Sequence, residues 1–531
     1  MFMMVLAIFI FGAASVCASD VNDTVIASED TGQTELSAGN ENEIVEQASN
    51  EEVISEANAG TFQELQQNIT QGYGSYITLD KDYEYEDGFS TDGITITQNI
   101  IIDGQGHKID AKGKARIFNI ETDNVILQNI TFMNGKSADG GAIKWEANLG
   151  SVLDCRFENN TATGDGGAIH WKNRGEAPSV NLNLILGCSF VNNTANYNYG
   201  GGGAVYFDGE KYTATVEDCN FKDNSAPNGG AVYFLEGYDT ATVSNCNFTN
   251  NTADYGGVVY FHSTGNVTNC NFTKNSASSR GGAVFFYQGT GSMTNCNFTN
   301  NTANYGGSVY FYQGTGSMTN CNFTNNTATY EGGAIRFSGS DTVTNCNFAD
   351  NTAYLGGAVF FLNTGNVTNC NFTNNTATMY GGAVYFSSNG DVTNCNFTGN
   401  NATCGSAIYF HSTSATKTVS NSRFLNNRAN AEALKITKND NNITITFTGN
   451  DNLLNAIYSR KGAKVTFTNV TYWGATGITT VSATMSGSNK AAGQNITVGV
   501  VVNDKLVLND VIITNENGTI VLDISAGEII T

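Results

Sequence analysis

Residues Gly281 to Tyr305 read GGAVFFYQGTGSMTNCNFTNNTANY, and close copies begin at Gly256, Gly306, Gly332, Gly356 and Gly381. Looser copies begin at Gly140, Gly166, Gly202 and Gly229. Self-similarity at a fixed period marks a repeat architecture, in which each unit completes its neighbour's core. Two landmarks hold the register. An aromatic closes the Ala-Val-Tyr-Phe run at Trp145, Trp171, Phe207, Phe234, Phe261, Phe286, Phe311, Phe337, Phe361, Phe386 and Phe410. Cysteine recurs at Cys155, Cys188, Cys219, Cys246, Cys270, Cys296, Cys321, Cys346, Cys370 and Cys395. Most steps are 24 to 27 residues, and the longer one from Trp171 to Phe207 implies an inserted loop around Asn173 to Ser179.

A unit of this length suits one coil of a parallel β-helix, because a propeller blade needs about 40 residues. Its runs are short and alternating, with nothing long enough for a helix. Alternation puts Val284 and Phe286 on one face and Ala283 and Phe285 on the other. The first takes no charge at the landmark positions and is read as the inside. The second accepts Lys144, His170 and Arg336 where other coils have Tyr, and is read as the outside. The expected fold is an all-β, right-handed parallel β-helix of some 14 coils, a rod roughly 65 Å long at about 4.8 Å per coil. Asn follows the Phe of each Cys-Asn-Phe-Thr run or its equivalent by three residues from Asn160 through Asn251 and Asn351 to Asn450, as a coil-to-coil amide ladder at a tight turn would require.

The pattern is expected to continue at Ile120 before the clear repeats and at Ile436 and Ser459 after them. Gly72 to Asp110, with Tyr73, Tyr76, Ile94 and Ile102, reads as a non-repeating cap over an otherwise open sheet edge. The expected organisation is a signal at 1–18, an acidic disordered spacer at 19–60, cap and first coil at 61–119, repeats at 120–477, and a partial immunoglobulin-like β segment at 478–531. The last rests on the Ile496-Val498-Val500-Val502 alternation and a turn at Asn515 to Gly518. It is shorter than the roughly 100 residues of a whole sandwich. The signal rests on the apolar run Met4 to Phe11 and the small-residue context Val16-Cys17-Ala18. No Lys or Arg precedes Lys81, so the start is expected upstream of Met1; a lipoprotein reading through Cys17 meets a poor lipobox in Ala14-Ser15-Val16. Residues 20 to 60 carry 11 Asp or Glu, no Lys or Arg and no aromatic.

A formal charge of −23 excludes general nucleic-acid binding through phosphates and disfavours an anionic membrane. Secretion or cell-surface display is expected, with no membrane insertion after signal removal. No CxxC occurs, the four His are scattered, and neither metal nor cofactor is expected. The laddered cysteines are read as buried thiols, since Ile130, Ser422, Ile445 and Val470 fill the same slot and stacked Cβ vectors suit a disulfide poorly. Cys404, outside the ladder, is the expected reactive one. Catalysis has one candidate cluster, Lys144, Glu146, His170, Lys172 and Asp208 on three successive coils, read first as a solvated strand face. No catalytic residue is assigned, and the chain is expected not to be an enzyme.

Sequons at Asn247, Asn271, Asn297, Asn322, Asn371 and Asn396 are expected to face outward, open to glycosylation. The candidate ligand-binding residues are Tyr206, Tyr233, Tyr260, Phe285, Tyr310, Phe360, Tyr385 and Tyr409, a stripe broken by Arg336. Such a stripe either reinforces stacked strands or offers sugar rings a platform.

The GGAV/GGAI and FTNNTA motifs, the Asp103-Gly104-Gln105-Gly106-His107 start and the Tyr472-Trp473-Gly474-Ala475-Thr476-Gly477 exit carry a resemblance. Over about residues 60 to 530 the chain resembles adhesin-like surface proteins of gut methanogenic archaea. Its repeats are similar to those of chlamydial polymorphic outer-membrane proteins. The resemblance implies a surface location and adhesion to an extracellular glycan or a neighbouring cell surface. Such proteins often continue through complete immunoglobulin-like modules and an anchor, and neither is expected within residues 1–531. The alternative is a polysaccharide-processing β-helix enzyme, lyase or hydrolase, using the Lys144 to Asp208 patch.

Overall fold

A computed structural model describes residues 59–71, 76–174, 183–197, 200–209, 213–236, 240–403, 405–412, 416–425 and 427–429, and beyond these the backbone of strands between 435 and 525. The expectations for residues 1–58, for the loop at 175–182, for Cys404 and for Asn450 lie outside the described residues.

A typical coil carries four strands, represented by Val259–Phe261, Gly265–Thr268, Asn271–Thr273 and Ser276–Arg280. Each pairs in parallel with its counterparts in the coils before and after, so that Tyr260 lies between Tyr233 and Phe285, and Phe272 between Phe248 and Phe298. About 14 coils follow one another in this way. The Val and Phe side chains of the first three strands form one continuous core along them. Like stacks on like: Phe261, Phe286 and Phe311 are spaced 4.8 and 4.5 Å apart with nearly parallel rings.

The repeated Gly-Gly has two separate causes. Gly281 takes φ 63°, a left-handed conformation costly for other residues. Gly282 has no room for a side chain, since a Cβ there would stand 2.0 Å from the Gly307 carbonyl oxygen. Left-handed corners elsewhere in the coil fall to Asn, as at Asn295 (φ 56°) and Asn300 (φ 57°), which tolerates them. These corners help explain an Asn-rich chain.

The expected Asn ladder is present, and its members from Asn160 to Asn400 are fully buried. Asn251 Nδ2 donates to Asn275 Oδ1 at 3.1 Å and to the Phe221 carbonyl at 3.1 Å, and the pattern runs from Asn160 to Asn427. In the long step after Trp171, Trp145 pairs with Trp171 while Gly150 pairs with Asn183, which places the extra residues between them as expected.

Three expectations change. Residues 76–110, read as a non-repeating cap, already form strands in parallel register with the coils: Tyr76–Thr78 pairs with Ile101–Asp103, and Ile94–Ile96 with Phe118–Ile120. The covering element is the helix Phe62–Gln71, which buries Phe62, Leu65 and Ile69. It opens on a capping box, Thr61 Oγ1 accepting the Glu64 N–H while the Glu64 carboxylate accepts that of Thr61. Gln66 accepts the Thr95 N–H and donates to the Thr95 carbonyl, so this side chain occupies part of the first coil's unpaired edge.

The second change concerns Ile436 and Ile445. The columns pass instead from Phe410 to Ser459, and from Arg423 to Thr471, which brings Ser422 next to Val470. Lys435–Asn439 and Asn442–Phe447 pair antiparallel with each other, and the latter with Ile520–Ser525. The intervening Asp440-Asn441 is a turn-forming pair, and a hairpin uses the same apolar alternation as a coil. The third change, the burial of the aromatic stripe, belongs to the site below. Gly477–Ser486, Asn495–Val502 and Lys505–Ile513 form an antiparallel run joined to the last coil through Lys464–Thr468 and Val470–Gly474.

Candidate functional site

Strand alternation places the eight candidate aromatics opposite the Phe core, and register brings them into one column. Tyr206, Tyr233, Tyr260, Phe285, Tyr310, Arg336, Phe360, Tyr385 and Tyr409 are consecutive neighbours. The rings of Tyr206 and Tyr233 lie 4.9 Å apart, those of Phe360 and Tyr385 likewise 4.9 Å, both nearly parallel.

The column is not an open platform. Exposure runs from 1% at Phe285 to 9% at Tyr206. Leu235, Tyr255, Tyr287 and Tyr312 pack over the members from Tyr206 to Tyr310, and Leu355 and Tyr380 over those from Phe360 to Tyr409. Burial pushes the Tyr233 and Tyr260 hydroxyls far above the ordinary tyrosine range. Alternation tells which side of a strand a ring takes, but not what another segment lays over it. Much of the cover comes from residues just before the first glycine of each repeat, Tyr255, Arg280, Tyr305, Glu331, Leu355 and Tyr380. Their recurrent length and aromaticity are the signal that could have found them.

Arg336 divides the two aromatic groups yet is bound to both. Its guanidinium lies 4.6 Å from the Tyr310 ring centre and 5.5 Å from that of Phe360. Its Nε donates to Glu331 at 2.6 Å, and another N–H donates to the Tyr310 hydroxyl. It is a satisfied structural cation.

The polar cluster does come together. Lys144 pairs with Glu146 at 2.8 Å and Lys172 with Asp208 at 3.2 Å, while Arg174 also reaches Glu146. His170 is 6% exposed, its Nε2 4.0 Å from Asp208 and its ring edge-on to Tyr206. Burial lowers its pKa to about 4 against the pull of Asp139 and Asp208, so it is neutral at pH 7. Burial raises Asp165 to about 6, against the N–H that Gly201 donates at 2.8 Å. The expected open strand face is thus partly buried, and its charges largely neutralise one another.

The ten ladder cysteines are free and buried. Their sulfurs satisfy the backbone: the Cys155 N–H donates to Cys188 Sγ at 3.4 Å, and Cys188 to Cys219 at 3.3 Å. Ser422 serves the same purpose, accepting from Cys395 N–H at 3.1 Å. Burial pushes the Cys188, Cys219 and Cys246 thiols well up, away from reactive thiolate. Among the described residues no group of three or more His, Cys, Asp or Glu could hold a metal ion. No helix among them is long and apolar enough to cross a membrane. The six sequon asparagines are exposed, as expected. They form a second ladder on the outside, Asn271 donating to Asn247 at 2.8 Å and Asn297 to Asn271 at 2.9 Å.

No curated protein and no solved structure matches the chain. Residues 154–170 match the repeat of the chlamydial polymorphic membrane proteins. Residues 167–342 and 282–452 match the right-handed β-helix region. These two matches overlap and together run from 167 to 452, more than half of the 531 residues, and the chain belongs to the right-handed β-helix family.

Proposed function

We propose that the protein is a non-catalytic adhesin or structural protein of the cell surface, secreted and displayed there, which binds an extracellular glycan or a neighbouring surface along the outside of its coils. The observation that carries this reading is the division between an interior whose laddered groups bond coil to coil and a repetitive outside. Inside, thiols, amides and aromatics are spent on coil-to-coil bonds. Outside, exposed Asn and half-buried aromatics recur over successive coils in the middle of the repeat, so weak single contacts can add up through repetition. The match to a chlamydial surface-protein repeat supports the location. In this reading the Tyr206 to Tyr409 column props the binding surface from beneath, and the layer above it meets the ligand. A glycan array probed with the folded chain, beside labelling of intact producing cells with antibody to the coils, tests both parts. Silence on the array together with unlabelled cells defeats the proposal.

One observation favours a second reading as a polysaccharide-cleaving enzyme. Asp165, raised to about 6, lies in the field of Asp139 and Asp208, and the latter is beside His170. A carboxyl that holds its proton near neutrality can serve as a general acid. Turnover of pectin or alginate that Asp208→Ala abolishes would establish that reading.

A further inference from the structure

Two adjacent coils depart from the repeat in the same way. The closing Phe286 and Phe311 are each followed by Tyr-Gln-Gly-Thr-Gly, where the coils on either side have His262-Ser263-Thr264-Gly265 and Ser338-Gly339-Ser340-Asp341. The extra residue lets the strand run on unbroken, as Val284–Thr294 and Val309–Thr319. The two strands pair again beyond the aromatic, Gln288 with Gln313 and Thr290 with Thr315. They form a local ridge that the coils on either side lack. Tyr287 and Tyr312 stand on it half-buried, their ring centres 5.5 Å apart and 21° from parallel. Gln288 and Gln313 follow them in sequence, and the His262 ring lies 4.9 Å from Tyr287.

Beside the ridge is Arg280, the last residue of the strand Ser276–Arg280. Its guanidinium carbon lies 4.7 Å from the centre of the Tyr312 ring, 5.6 Å from Tyr310 and 5.7 Å from Tyr255. Arg336, two coils on, has the Glu331 carboxylate at 2.6 Å and two hydroxyl acceptors. Arg280 has aromatic faces only: among the described residues neither a carboxylate nor a hydrogen-bond acceptor engages its guanidinium. The contrast matters in a chain with 48 acidic and 25 basic residues, where a carboxylate partner is easy to supply. Ring faces hold this guanidinium half out of water and leave its planar fork of donors for a ligand.

We infer that Arg280, with Tyr287 and Tyr312, is a recognition site for a carboxylate-bearing sugar unit of an acidic polysaccharide. The hydroxyls and outer ring edges of the two tyrosines border the sugar ring, the guanidinium takes the carboxylate in a two-bond fork, and the glutamine amides meet hydroxyls. A single cation in a partly desolvated aromatic setting selects an anionic sugar from neutral ones, whereas the chain's net negative charge repels polyanions in general. The inference rests on the surface-binding reading and supplies its ligand class.

Two forms of one polymer test it: immobilised polygalacturonate and its fully methyl-esterified counterpart, which has the same backbone without the charges. The comparison includes the folded chain, Arg280→Gln, and Lys274→Asn as a charge-matched control on an exposed corner where other coils carry Asn250, Asn300 and Asn325. A neutral and sialylated glycan array accompanies them. The expected result is binding to carboxylated ligands alone, weakened about tenfold or more by Arg280→Gln and less than about twofold by Lys274→Asn. Binding indifferent to esterification and to Arg280→Gln overturns this site and leaves the surface-binding reading standing. A folded chain that binds nothing on polymer or array overturns both.

Discussion

Asn251 and Asn275 occupy the same corner of successive coils, and the Asn275 side-chain oxygen takes two bonds from Asn251, from its backbone N–H at 2.9 Å and from its amide at 3.1 Å. The Asn275 amide in turn donates to the Phe248 carbonyl at 3.1 Å and to Asn301 at 3.1 Å. One buried side chain thus ties together neighbouring coils on both sides. Asn275→Ala leaves several buried donors and acceptors unpaired at once, each costing about 1–3 kcal/mol. The expected loss is about 3 kcal/mol or more in denaturant melts, and a loss below about 0.5 kcal/mol would show that the ladder does not hold the coils.

The aromatic column should respond as core. Tyr260 is 8% exposed and lies between Tyr233 at 4.6 Å and Phe285 at 5.0 Å. Tyr260→Ala is expected to cost about 3–5 kcal/mol, the range for a large aromatic removed from a packed interior. An unchanged melting temperature would return the column to the surface.

Asp341 fills a slot held by Gly316 and Gly365 in the adjacent coils, and burial raises its pKa to about 7 from an ordinary 3.8. Between those two values the folded chain holds the proton and the unfolded chain does not. Stability from this group therefore falls as pH rises through the window and levels off above 7. Asp341→Asn removes the charge and should raise stability at pH 8 by a few kcal/mol at most, on the order set by its shift. The gain should fade near pH 4. His170, lowered to about 4, acts in the opposite sense between 6.5 and 4, so the difference between parent and variant melts is the quantity to read. Equal gains at pH 4 and pH 8 would remove the charge as the cause.

The thiol ladder should be silent in the fold and complete outside it. Protein kept reduced and treated with iodoacetamide is expected to carry no label at Cys155 through Cys395, and full label at these positions once denatured. Label at several ladder cysteines in the folded chain, or disulfides between adjacent ones in peptide maps of protein purified without oxygen and without reductant, would contradict the structure.

Repetition made much of this legible in the sequence. One environment is written many times over, and each exception defines it: Ile130 and Ser422 in the cysteine slot reveal a small buried side chain, and Asn recurring at one corner reveals a ladder. What remained hidden was what is not written in a single strand. Burial of Tyr206 to Tyr409 depends on Tyr255 and Leu355 from one segment and Tyr287 from another, and alternation along a strand is blind to such cover. Ile436 and Ile445 carry the same period as a coil, and only pairing with Ile520–Ser525 tells hairpin from coil. Residues 76–110 lack the Gly-Gly motif and hold the coil register all the same, because backbone pairing requires strand length and spacing rather than particular side chains. Within the polar cluster, the residues were visible but the burial of His170 beneath its neighbours was not.

Binding without turnover is the central claim, and one measurement addresses it most directly. The folded chain is mixed with polygalacturonate, alginate and sialylated glycans, and both the retained protein and the polymer length are followed over hours. The account predicts retention on carboxylated polymer, polymer of unchanged length, and no new reducing or unsaturated ends. Shortening of the polymer that Asp208→Ala abolishes, or no retention on any ligand, would contradict it.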